Sequence, residues 1–229
     1  SVTVQEVDEL LPQIQGPDAF CAGESIQITG EAGYATYAWS SGQNTATITV
    51  DEPGQYTLSV TDANGCSGST QVDILENELP PLSIDAVDGF CDGETATLSA
   101  TAGYADYEWS NTAQGASITV DVGGSYSLTV TDGNGCQNEA AVSLSLYPLP
   151  APGIQGALHF CPEGQSTLSL SESYASYAWS TGDNTTEITV NTADTFAVSV
   201  ADNNGCSAAD TVSTELWPSP EPEIAGTTA

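Results

Sequence analysis

The chain has 229 residues, with 31 Asp and Glu, no Lys or Arg and one His, for a net charge of −31 at pH 7. It has no cationic surface with which to track phosphates, so a nucleic-acid ligand is excluded and docking on an anionic membrane is disfavoured. Hydrophobic residues still make up 39% of the chain, which separates it from acidic disordered tails.

The first eight residues match the ends of later segments: Val2 and Val4 stand 70 positions before Val72 and Ile74. Residues 1–8 are therefore expected to close a preceding repeat. Residues 9–78 form the first full repeat. Ile28 marks an early strand, and Tyr37 and Trp39 share one face of the next. Ile48 and Val50 make a short strand. Tyr56, Leu58 and Val60 then alternate with Thr57, Ser59 and Thr61, the period of a half-buried strand. "TDANGC" reads as a tight hairpin in which Asn-Gly supplies positive φ angles. Val72 and Ile74 form the last strand.

Residues 79–148 repeat the pattern with Leu98, Tyr107, Trp109, Ile118, Val120, Tyr126, Leu128, Val130 and "TDGNGC", then Val142, Leu144 and Leu146. Residues 149–218 repeat it with Leu168, Tyr177, Trp179, Ile188, Val190, Phe196, Val198, Val200 and "ADNNGC". Residues 219–229 are expected to open a following repeat, with Ile224 and Gly226 in register, so the chain reads as an excerpt of a longer array. "LPPL", "LPAP" and "PSPEP" lie between repeats and suit stiff, extended connectors.

Trp39, Trp109 and Trp179 stand 70 residues apart, as do Cys21, Cys91 and Cys161, and Cys66, Cys136 and Cys206. A fixed period is the signature of an array, and about 70 residues is the size of a small domain with its own core. Short strands and one central Trp predict an all-β chain: three tandem immunoglobulin-like β-sandwich domains in an extended array. Trp39, Trp109 and Trp179, with Tyr56, Tyr126 and Phe196, are the expected core. So modest a core calls for a covalent staple.

Six cysteines without metal-ligand spacing read as disulfides, which implies an oxidising compartment. Pairing within repeats gives Cys21–Cys66, Cys91–Cys136 and Cys161–Cys206, the leading expectation if early loops fold back. Closing the 45 residues from Cys21 to Cys66 is worth about 4 kcal/mol. A strict immunoglobulin topology objects. It sets the two cysteines of a repeat at opposite poles, about 23 Å apart along a seven-residue strand, whereas a disulfide needs Cα atoms within about 7 Å. The alternative links neighbours as Cys21–Cys136 and Cys91–Cys206, leaving Cys66 and Cys161 for repeats outside the chain.

The pattern Cys-x-Gly, Tyr-x-Trp-Ser, Gly-x-Tyr-x-Leu-x-Val-Thr-Asp-x-Asn-Gly-Cys covers nearly all of the chain. It resembles the tandem immunoglobulin-like or PKD-like repeats of large surface and secreted proteins of the Bacteroidetes, including gliding adhesins exported by type IX secretion. The resemblance implies a secreted or cell-surface location in a Gram-negative bacterium. The third repeat departs at Pro162-Glu163-Gly164 and at Asp194-Thr195-Phe196.

No catalytic constellation is present, and His159 has Ala19 and Gly89 at the matching positions, which suits a surface loop residue. Asp62 and Asn64, Asp132 and Asn134, and Asp202 and Asn204 are candidate Ca²⁺ ligands, set against the simpler role of building the turn. No other cofactor is expected. Tyr34, Tyr104 and Tyr174, with Tyr37, Tyr107 and Tyr177, are candidates for stacking on glycans, set against core packing. Tyr147 and Trp217 lie at repeat exits. Asn184 begins an N-x-T sequon, and Thr211 resembles the Asp-Thr-apolar O-glycosylation motif of this bacterial group. No apolar run is long enough to span a bilayer, so this segment is not expected to insert in a membrane.

The functional expectation is a non-catalytic array: a rigid, protease-resistant stalk or fibre at the cell surface, with neighbouring copies or repeats as its partners. One alternative is an adhesin module binding glycans or Ca²⁺. Another is a set of accessory repeats of a larger secreted enzyme.

Overall fold

The structure, a computed structural model, describes residues 10–219. The expected end of a preceding repeat at 1–8 lies outside the described residues, as do Ile224 and Gly226.

Every described regular element is a β-strand. The first repeat contains β1 (Ile14–Gln15), β2 (Ala19–Cys21), β3 (Ile26–Gly30), β4 (Thr36–Trp39), β5 (Thr47–Val50), β6 (Gly54–Thr61) and β7 (Ser67–Asn77). One sheet has the order β1-β3-β5 and the other β2-β7-β6-β4. All pairs are antiparallel except β2, which runs parallel to the end of β7 with Cys21 opposite Asn77. This is a seven-strand immunoglobulin-like topology.

The period-two pattern sets which side of each strand is buried. In β5, Ile48 and Val50 are buried while Thr47 and Thr49 face solvent. The first core gathers Phe20, Ile28, Trp39, Ile48, Val50, Leu58, Val60 and Ile74. The third gathers Phe160, Leu168, Trp179, Ile188, Val190, Phe196, Val198 and Val200. Trp39, Trp109 and Trp179 are 4%, 1% and 4% exposed. Truncating so large a buried ring costs about 3–5 kcal/mol.

The second repeat contains β8 (Ile84–Asp85), β9 (Gly89–Cys91), β10 (Ala96–Ala100), β11 (Asp106–Trp109), β12 (Ser117–Val120), β13 (Gly124–Thr131) and β14 (Gln137–Tyr147). Its sheets are ordered β12-β10-β8 and β11-β13-β14-β9. The third contains β15 (Ile154–Gln155), β16 (His159–Phe160), β17 (Ser166–Leu170), β18 (Ser176–Trp179), β19 (Glu187–Val190), β20 (Thr195–Ala201), β21 (Ser207–Ser213) and β22 (Glu215–Leu216). The chain forms two compact units. Among the described residues, one holds 10–83, Ala100–Ala116 and Ser127–Ala140. The other holds Ile84–Ser99, Ser117–Tyr126 and 141–219.

The third repeat breaks the pattern at two places with local causes. Gly54 and Gly124 open their strands at φ 148° and 146°, a conformation side chains rarely adopt. Asp194 stands at the matching position, and β20 begins one residue later, at Thr195. Opposite it, Thr214 replaces Ile74 and Leu144, is buried, and donates its hydroxyl to Thr192 O at 2.9 Å. The last strand is interrupted there, between β21 and β22. At the other site, Ala22 N and Asp92 N donate to Asn77 O and Tyr147 O at 2.9 and 2.8 Å. Pro162 has no N–H to give, so β16 ends at Phe160, whereas β2 and β9 run on to their cysteines.

Three expectations are corrected. Cys21 bonds Cys136 and Cys91 bonds Cys206, with Cα–Cα distances of 5.5 and 5.6 Å. Cys66 and Cys161 are free, so the within-repeat pairs Cys21–Cys66, Cys91–Cys136 and Cys161–Cys206 are absent. The reason is topological. The first cysteine of each repeat lies beside the C-terminal end of the last strand, and the second precedes that strand's other end. Tyr56 and Tyr126 are half-buried and not fully buried: Tyr56 packs against the first core, while the two hydroxyls donate to Glu52 O at 2.9 Å and Val122 O at 2.7 Å. This is the corner bond by which a tyrosine ties a strand start to the preceding loop. Finally, the Asn-Gly pair does not form a two-residue turn. Gly65 alone takes positive φ, 88°, in a wider loop closed by Asp62 N on Cys66 O at 2.9 Å.

Candidate functional site

The repeated motif is a set of latches around one indole. Trp39 Nε1 donates to Thr45 O at 2.9 Å, Trp109 Nε1 to Gly115 O at 2.9 Å and Trp179 Nε1 to Thr185 O at 2.9 Å. The buried ring thus holds the loop that follows it. The next residue, serine, accepts on Oγ from a neighbouring strand: Thr57 N to Ser40 at 3.1 Å, Ser127 N to Ser110 at 3.2 Å and Ala197 N to Ser180 at 3.1 Å. Two residues before the indole, Tyr37 and Tyr107 donate to Glu31 O and Thr101 O at 3.0 and 3.1 Å. Tyr-x-Trp-Ser is therefore one device for fixing two loops against a core.

The same tyrosines were the glycan-stacking candidates. Tyr34 and Tyr37 meet edge-to-face with centroids 6.1 Å apart, as do Tyr174 and Tyr177. Tyr104 and Tyr107 are tilted at 5.9 Å. Tyr34, Tyr37, Tyr174 and Tyr177 pack half-buried against their cores. The hydroxyls of Tyr37, Tyr104 and Tyr107 are used to close loops, on Glu31 O, Pro81 O and Thr101 O.

In the acidic hairpins, one oxygen of each Asp is taken by backbone amides. Asp62 Oδ1 accepts from Asn64 N and Cys66 N, both at 2.8 Å. Asp132 Oδ1 accepts from Asn134 N at 2.9 Å and Cys136 N at 2.8 Å, and Asp202 Oδ1 from Asn204 N and Cys206 N at 2.9 Å each. The Cys66 amide is the main cause holding the Asp62 carboxyl below the usual carboxylate range. Among the described residues, no three or more His, Cys, Asp or Glu side chains converge in a group able to hold a metal ion. What the carboxylates do is aim the cysteine amide, and so the cysteine, at each hairpin tip.

That aim produces the dominant feature, two disulfide rungs. Each joins the first cysteine of one repeat to the second cysteine of the next, at the same sequence separation of 115. Cys136 and Cys206 are 0% and 1% exposed. By chain entropy a loop of that length is worth about 5 kcal/mol.

The remaining candidates lie apart. Asn184 is exposed in the loop after Trp179, and Thr211 is exposed on β21. His159 sits on β16, not in a loop, with Nε2 3.1 Å from Glu215 Oε2 and its ring 4.9 Å from that of Trp217. Trp217 is 55% exposed, while Tyr147 and Asn77, at the same position of the earlier repeats, are half-buried. Sequence reasoning missed the connector latches: Asn138 Nδ2 donates to Pro80 O at 2.9 Å, and Ile154 N to Asp210 Oδ2 at 2.9 Å. They use residues that differ between repeats, so the period hid them. Among the described residues, no helix is long and apolar enough to cross a membrane.

No protein-family model matches the chain, and no curated protein matches it in sequence. Among solved structures it is similar to the N-terminal eight immunoglobulin domains of Down Syndrome Cell Adhesion Molecule, at 12% identity and TM-score 0.49, covering 92% of this chain and 37% of that one. It is also similar to a structure concerned with host cell surface retention of a 1.5-MDa bacterial ice-binding adhesin, at 12% identity and TM-score 0.39, covering 92% and 99%. A third is Sidekick-1 immunoglobulin domains 1–5, at 11% identity and TM-score 0.30, covering 92% and 60%. At these scores the fold rests on the strand pairings themselves.

Proposed function

We propose that the chain is a non-catalytic, extracellular structural array: part of a stalk or fibre at the surface of a Gram-negative bacterium of the Bacteroidetes, exported by type IX secretion. The rungs carry this reading. A bond from one repeat to the next runs alongside the peptide connector, so a load reaching the connector is shared with a covalent bridge. Disulfides of this kind persist in oxidising compartments. The absence of Lys and Arg removes every trypsin site and, with a net charge of −31, keeps chains from associating nonspecifically.

Small-angle scattering on the oxidised chain tests the reading. An elongated particle whose digestion by proteinase K accelerates on reduction supports it. A compact particle, or digestion indifferent to reduction, contradicts it.

A second reading, adhesion to glycans, is favoured by one observation. The loops after the Trp vary as "SGQNTA", "NTAQGA" and "TGDNTT", while the indole bond that holds each of them recurs in all three repeats. Binding on a glycan array at seawater-like salt tests it.

A further inference from the structure

Cys66 and Cys161 are the only described cysteines outside a rung. Each has equivalents that are bonded. Cys161 matches Cys21 and Cys91, the first cysteines of their repeats, and Cys66 matches Cys136 and Cys206, the second ones. The backbone bonds around them match as well, although β16 stops one residue short of Cys161. The turn after the first cysteine is closed by Glu24 N on Cys21 O, Glu94 N on Cys91 O and Gly164 N on Cys161 O, each at 2.9 Å. Cys66 is held by Asp62 as Cys136 is by Asp132.

A second observation concerns what covers these positions. In the register of the parallel strand pair, Tyr147 lies opposite Cys91, and Trp217 holds the corresponding place beside Cys161. Where the cysteine is bonded, that neighbour is half-buried; beside free Cys161, Trp217 is 55% exposed. An exposed indole beside a thiol whose equivalents are bridged marks an uncovered docking face.

We propose that Cys161 and Cys66 are the two halves of one further rung, so that Cys161 of one copy of this chain bonds Cys66 of a second copy, head to tail. The contact is heterologous, so it propagates along a line and does not close as a symmetric pair. The inference rests on reading the chain as a structural array. The chemistry is thiol–disulfide exchange with a low-molecular-weight disulfide such as oxidised glutathione. Cys161 and Cys66 each lose a proton, one S–S bond forms between them, and the oxidant's S–S bond is reduced to two thiols.

The experiment uses the purified chain in a glutathione redox buffer, read on non-reducing gels. Wild type is expected to give a ladder of dimers, trimers and higher species. Cys66→Ser alone and Cys161→Ser alone are expected to stay monomeric, whereas their equimolar mixture gives dimers and nothing larger. Trp217→Ser is expected to lower the ladder yield severalfold. Dimers from either single variant alone, or a wild type that stays monomeric, overturns the proposal. Mapping the internal rungs on the same samples separates the failures: intact rungs without a ladder sink this proposal only, and missing rungs sink the array reading itself.

Discussion

Replacing Cys66 with serine separates the two disulfide schemes by energy. The Cys21–Cys136 rung closes 115 residues, which by chain entropy is worth about 5 kcal/mol. The competing Cys21–Cys66 bond would close 45 residues, worth about 4 kcal/mol. The two differ by less than the error of the relation, so the loss on Cys21→Ser cannot tell them apart. Cys66 can, because it is free and half-buried, and its replacement should cost no more than about 0.5 kcal/mol. Cys21→Ser and Cys136→Ser should each cost about 3–5 kcal/mol, and the double variant little more than either, since both remove the same bond. For a chain of this length, that loss lowers the melting temperature by roughly 10 °C. The assay is urea and thermal unfolding of the oxidised proteins, with free thiols alkylated after folding to prevent exchange. If Cys66→Ser and Cys161→Ser cost as much as Cys21→Ser, the between-repeat scheme is refuted.

Other outcomes follow from single contacts. Thr112 and Glu163 hold φ of 66° and 65° where the other repeats have Gly42 and Gly182, or Gly23 and Gly93. Thr112→Gly and Glu163→Gly should each stabilise by about 1 kcal/mol in urea unfolding, by relieving a left-handed residue. The Asp62 carboxyl is held low by the Cys66 amide, so its contribution is present above the unfolded carboxylate value, about 4, and fades as pH falls through the lower folded value. The stability gap between wild type and Asp62→Asn should therefore narrow on acidification below about pH 4, as read by melting temperature across a pH series. Oδ1 of each hairpin carboxylate accepts from backbone amides and, among the described residues, no three His, Cys, Asp or Glu side chains converge, so removing divalent cations with a chelator should leave the melting temperature unchanged.

Much of the fold was readable because a sandwich strand advertises itself by alternation. Leu58 and Val60 are buried and Ser59 between them is exposed, as a period of two requires. The core indole was readable because Trp39, Trp109 and Trp179 recur at an unbroken period of 70 inside the same Tyr-x-Trp-Ser motif, whereas Trp217 has no counterpart in the other repeats. The rungs were not settled by sequence, for the reason given above: loop entropy is nearly blind to the choice, and only strand order puts Cys21 and Cys66 at opposite poles. Tyr56 packs against the core but keeps its hydroxyl at the rim, which alternation does not show, because it reports the facing of a side chain and not how far its hydroxyl must reach for a partner. The strand break at Thr214 was invisible for a related reason. It compensates Asp194, which stands 20 residues away, and neither residue breaks a rule by itself.

The account stands most directly on which sulfur is joined to which. Lacking Lys and Arg, the chain is best cut after glutamate, which isolates every cysteine on its own peptide. Mass spectrometry of the unreduced, alkylated digest should find 10–24 linked to 109–139 and 79–94 linked to 188–215, with 32–76 (the Glu52-Pro53 bond resists cleavage) and 140–163 alkylated as free thiols or linked only to each other. Finding 10–24 linked to 32–76 would contradict it.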